Sequence, residues 1–133
     1  MSSELNSEFK YLAESVNLSG LKNRSLLITG ASGLIGSYLL NFFQYLNQQY
    51  QQNIRITAVS LHGSYLNVPK FPEQILFMNG DLTDRNFLSM IPEVDLVIHA
   101  AGYGQPRKFM NEPLKTLGLN ANTTEQLLLK CPL

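Results

Sequence analysis

Apolar positions along the chain fall into two rhythms, one helical and one compact. Leu5, Phe9, Leu12, Ala13 and Val16 recur at helical spacing with Gly20 just beyond, so residues 1–20 read as a short amphipathic helical extension ahead of the main fold. Ser25 to Thr29 holds the run Leu26-Leu27-Ile28 between Arg24 and Gly30, which suits a strand buried on both faces. Ile35, Leu39, Phe42, Phe43, Leu46 and Tyr50 then predict a long helix with one apolar stripe, its Gln-rich end a solvated last turn. Further strands are expected at Arg55 to Ser60, Ile75 to Met78 and Leu96 to His99, with His62 to Pro72 as loop. Thr83 is placed to cap a short helix through Met90, and a last helix is expected from Pro113 to Lys130, ahead of Pro132.

Strands that alternate with helices and are themselves apolar throughout argue for an α/β fold, a Rossmann-like parallel sheet with helices on both faces. No internal repeat or Gly/Ser/Pro-rich linker divides residues 21–133, which read as a single domain. Charge narrows the partners. Ten basic residues balance ten acidic ones, and no basic cluster is available to displace counterions from nucleic acid. One cysteine, Cys131, and two histidines make no metal-ligand cluster and fit a reducing cytoplasm. Met1 to Lys10 has no apolar run of the kind a secretory signal carries, and no stretch approaches the ~18 apolar residues of a membrane span, so no membrane role is expected.

The chemistry concentrates in Thr29-Gly30-Ala31-Ser32-Gly33-Leu34-Ile35-Gly36, three glycines at G-x-x-G-x-x-G spacing between a predicted strand and a predicted helix. The first permits a tight turn, the second lets backbone approach a pyrophosphate, and the third lets helix pack on strand. The helix start then offers unpaired N–H groups to the phosphates. A phosphate-binding P-loop is excluded because no Gly-Lys-Ser/Thr follows. Asp81 reads equally as a helix-start acceptor or as a ligand contact. His99 reads as a structural histidine with satisfied ring nitrogens, and Asn120, unfavourable in mid-helix, as either a solvent-facing or a functional side chain.

These residues resemble the extended short-chain dehydrogenase/reductases, the group of NAD-dependent nucleotide-sugar epimerases, dehydratases and decarboxylases. Thr-Gly-x-x-Gly-x-x-Gly matches their loop; Gly80-Asp81-Leu82-Thr83-Asp84 resembles their motif after the third strand, and Asp95-Leu96-Val97-Ile98-His99-Ala100-Ala101-Gly102 their fourth-strand segment. Pro106, Asn111-Glu112-Pro113, Thr116 and Asn120-Ala121-Asn122-Thr123-Thr124 resemble the pattern that follows, with Thr123 in a glycine position. The spacing from His99 to Asn120 is closest to the UDP-glucuronate decarboxylase and dTDP-glucose dehydratase branches. The resemblance spans Leu21 to Lys130.

It implies a dinucleotide site in which Gly30, Ser32, Gly33, Leu34, Ile35 and Gly36 surround the pyrophosphate. Asp81 and Leu82 would meet the adenine, Ala100, Ala101 and Gly102 the ribose and nicotinamide, with Ser60 and Asn120 as further contacts. At the end of the second strand the family carries an Asp or Glu for the ribose hydroxyls of NAD, or an arginine nearby for NADP; Val59-Ser60-Leu61-His62 has neither. NAD is favoured, because no arginine is present. The family's Tyr-x-x-x-Lys pair is absent, since no tyrosine is followed four residues later by lysine, and no catalytic residue is assigned. The expectation is therefore the N-terminal, cofactor-binding half of a longer enzyme whose missing part would hold the nucleotide-sugar substrate, truncated after the fourth strand and its following helix. Two rivals remain: a non-catalytic NAD(P)-sensing or interaction module, and a methyltransferase-like nucleoside binder, disfavoured by the three glycines. An uncovered fourth-strand edge would favour association into a homo-oligomer.

Overall fold

The computed structural model describes residues 3–63, 74–104 and 106–132. Its elements run α1 (Ser3–Ser15), β1 (Ser25–Thr29), α2 (Leu34–Tyr50), β2 (Arg55–Ser60), β3 (Ile75–Asn79), α3 (Arg85–Met90), β4 (Leu96–His99), α4 (Pro106–Asn111), α5 (Pro113–Leu117), a π-helical turn (Gly118–Asn122) and α6 (Thr123–Leu128). The four strands form one parallel sheet in the order β3-β2-β1-β4. All strands lie where the apolar runs place them. Most of the expected loop from His62 to Pro72 falls outside the described residues.

Successive strand residues point to opposite faces, and the core divides accordingly. Leu26 and Ile28 with Ile56 and Ala58 pack on one face against α1 and α2. Leu27 and Val59 pack on the other with Phe87 and Leu88 of α3 and Leu127 of α6. Helices thus cover both faces, as the doubly apolar strands require. At its far end the β1–β4 pair is stitched by Asp95, whose carboxylate accepts from the Ser25 backbone N–H and hydroxyl at 2.7 Å each and from Arg24 at 3.3 Å. The Ser25 N–H above all, then its hydroxyl and Arg24, holds that carboxyl below the usual carboxylate range.

Three local expectations are corrected. The buried face of α2 is Leu40, Phe43, Gln44, Tyr45 and Leu46, while Ile35 is 66% exposed. Tyr45 is buried because Phe9, itself fully buried, brings α1 against the side of α2, with ring centroids 5.2 Å from Tyr38, 5.4 Å from Phe42 and 5.6 Å from Tyr45, whereas Ile35 lies on the first turn of α2, beside the glycine loop. A helix covered by both a sheet and a second helix buries more than one stripe. Asp84, not Thr83, caps α3: its carboxylate accepts from the Asn86 N–H at 2.9 Å, while Thr83 is turned to Asp81. The expected last helix is interrupted by the π turn at Gly118–Asn122, where glycine and two asparagines hold the helix weakly, and α4 precedes it unforeseen.

Replacing Phe9 by Ala should remove about 3–5 kcal/mol of unfolding free energy, measured by urea denaturation, because a fully buried aromatic is lost from the common core. A loss below about 1 kcal/mol would mean that α1 is not part of this core.

Candidate functional site

Neighbouring strands β1 and β4 send their chains to opposite faces of the sheet, β1 into α2 and β4 toward α6. A parallel sheet opens a crevice beyond the carboxyl ends of such strands. The cleft here is lined by the glycine loop, the end of β2, the Gly80–Thr83 turn and Ala100 to Tyr103, with Lys108 and Leu119 from the helices beyond.

The loop is built from backbone pressed on backbone. Gly30 has φ +67°, and a Cβ there would stand 2.7 Å from the Ala100 carbonyl. A Cβ on Gly36 would stand 2.1 Å from the Gly30 oxygen. Gly33 caps α2 with no side chain, so the first N–H groups of a long helix are left for a ligand. The Gly33 N–H closes the turn on Gly30 O at 2.9 Å, and the Ala31 N–H ties it to Val59 O of β2 at 3.0 Å. This cradle, with a helix start and no room for side chains, fits a diphosphate.

The β4 side is positioned by a relay of hydrogen bonds. His99 Nε2 lies 3.2 Å from the Leu119 carbonyl of the π turn, which only accepts, so that nitrogen carries the proton. Its Nδ1 then accepts from the Thr29 hydroxyl at 2.6 Å, and the Thr29 oxygen accepts from the Ala101 N–H at 3.3 Å. Both ring nitrogens are satisfied, as the structural reading of His99 expects. Thr123, in the family's glycine position, is buried and donates to Leu82 O at 2.9 Å, which fastens α6 to the Gly80–Thr83 turn.

Of the predicted site residues, Gly30, Ser32, Gly33, Ser60, Asp81, Leu82, Ala100, Ala101 and Gly102 come together in the cleft. Leu34 and Ile35 are exposed on the first turn of α2, and Gly36 is buried beneath the loop. Asn120 is exposed on the π turn, and its neighbour Leu119 faces the cleft instead. Ser60, buried at the end of β2, shares a 2.6 Å hydrogen bond with Ser32. Asp81 accepts from the Thr83 hydroxyl at 2.7 Å and N–H at 2.8 Å, which hold its carboxyl below the usual range. Periodicity and motifs did not single out Leu61, Tyr103 or Lys108, which also line the cleft. The only signal for Lys108 was its place in the basic pair Arg107-Lys108 shortly after Ala100-Ala101-Gly102. Among the described residues no cluster of His, Cys, Asp or Glu could hold a metal.

The model of the NAD dependent epimerase/dehydratase family matches residues 26–131. The chain belongs to this family. It is 31% identical over 108 residues to a UDP-glucose 4-epimerase of Streptococcus mutans, covering 78% of this chain and 31% of that protein. Among solved structures, epimerase Mth375 from Methanothermobacter thermautotrophicus superposes with a TM-score of 0.65 at 21% identity, covering 96% of this chain and 34% of the other. A UDP-glucose-4-epimerase from Stenotrophomonas maltophila, with bound NAD and formylated UDP-arabinopyranose, gives 0.58 at 21% identity over 80% of this chain and 33% of that one. The chain therefore spans about a third of the length of these relatives.

Gly36→Ala should lower unfolding free energy by about 1–3 kcal/mol in chemical denaturation, since the added methyl meets a backbone oxygen that cannot step aside. Unchanged stability would show that α2 does not lie this close to the β1 turn.

Proposed function

We propose that these residues form the dinucleotide-binding portion of an NAD-dependent nucleotide-sugar epimerase acting in the cytoplasm. The observation that carries this reading is the loop at the end of β1, where Gly30 and Gly36 leave no room for side chains and α2 starts against the cleft. Family membership and the UDP-sugar relatives supply the substrate class.

The roles follow from position. The start of α2 and the Gly30–Gly33 turn hold the diphosphate, Asp81 and Leu82 border the adenine, and Ala100 to Gly102 let the nicotinamide ribose lie close to backbone. Ser60 and Ser32 face the adenine ribose with hydroxyls, and no arginine stands in Val59-Ser60-Leu61-His62 to draw a further phosphate, so NAD is the cofactor assigned. When bound, NAD supplies the hydride acceptor for oxidation of a sugar hydroxyl. The present residues bind and orient it. Proton transfer is not assigned to them, because none of their tyrosines has a lysine four residues on.

Calorimetric titration tests the assignment: NAD and ADP-ribose should each bind at one site per chain, and NADP more weakly than NAD. Absence of binding by all three would overturn it, and tighter binding of NADP would overturn the choice of NAD.

A further inference from the structure

A dinucleotide brings a diphosphate ionised on both phosphates, and the glycine loop meets it with no full positive charge. Gly30-Ala31-Ser32-Gly33-Leu34-Ile35-Gly36 contains neither Lys nor Arg, and the helix start contributes only about half an elementary charge. Across the cleft Asp81 adds a negative charge rather than a positive one. Its carboxylate is kept ionised by the two hydrogen bonds from Thr83. Lys115 stands near Asp81, and Glu112 first, then Tyr103 and Asp81, hold its ammonium above the usual range, but it is not among the residues that line the cleft.

Lys108 is different. It lines the cleft from α4, on the β4 side and facing the same space as Gly30, Ser32 and Gly33. Among the described residues it is the only Lys or Arg in that lining, and it forms no ion pair within them. A lysine ammonium is a compact charge on a flexible stem, suited to a phosphate that arrives with the ligand.

We propose that Lys108 supplies the counter-charge for the diphosphate bridge of the bound dinucleotide, closing over it from the side opposite the glycine loop. The proposal rests on the dinucleotide reading of the cleft and adds to it the residue that would make binding electrostatic. A nucleotide sugar carries the same diphosphate chemistry, so the test includes both sources.

The experiment compares the protein at its native length with Lys108→Met and Lys108→Arg, titrating NAD, ADP-ribose and UDP at low and high salt, with thermal melting as the check on folding. Lys108→Met is expected to weaken NAD and ADP-ribose about tenfold, the order of one charge-assisted hydrogen bond, and to flatten their salt dependence. Lys108→Arg should recover most of the affinity at an unchanged melting temperature. Equal ADP-ribose affinity in wild type and Lys108→Met overturns the proposal while leaving the cleft reading intact. So does a loss confined to UDP, which would give the charge to the nucleotide sugar, or an affinity loss that tracks a lowered melting temperature. Failure of the wild type to bind NAD or ADP-ribose overturns the cleft reading itself, and the Lys108 assignment with it.

Discussion

The approach of Gly36 to the Gly30 carbonyl is the contact on which the rest of the site depends. A side chain there would begin 2.1 Å from a backbone oxygen, and one on Gly30 would begin 2.7 Å from Ala100. Only with both positions bare can α2 start directly over the end of β1 while β4 ends beside it. The same economy of side chains leaves a cleft floored by peptide groups, and helix-start N–H groups need a partner from outside. Packing at this place thus leaves the surface that the proposed binding would use.

Strand order makes that approach useful. With β1 between β2 and β4, the cleft gathers the end of β2, the turn after β3 and the end of β4 around one loop. Asp95 fixes the β1–β4 pair at its start, through Ser25 and Arg24, and the Thr29–His99–Leu119 relay fixes it at its end. The π turn has a place in this. Its Leu119 carbonyl accepts from His99, and Leu119 lines the cleft. Weak helix formers at Gly118, Asn120 and Asn122 make the departure from regular helix inexpensive.

How much of this is legible in the chain follows from the range of the forces involved. The four strands and the glycine loop could be read because each is a local signal: a short apolar run ended by a turn residue, or glycines at fixed offsets. The burial of Tyr45 could not, because it depends on Phe9 docking from a distant part of the sequence. Thr83 looked like a cap until Asp81 drew its hydroxyl and N–H and left Asp84 to cap α3. Asn120 carried a motif position, yet the π turn leaves it exposed and presents Leu119 to the cleft. Lys108 lies on a helix of six residues with no buried face, so periodicity gives no hint of it.

The proposed role of the loop from Gly30 to Gly36 is to receive the diphosphate. Amide chemical shifts followed by 15N–1H NMR during titration with ADP-ribose test it most directly. The largest changes are expected at the Ser32, Gly33, Leu34 and Ile35 amides, with smaller ones at Leu82 and Ala101. Saturable binding that leaves the Ser32 to Ile35 amides unmoved while others shift would contradict it.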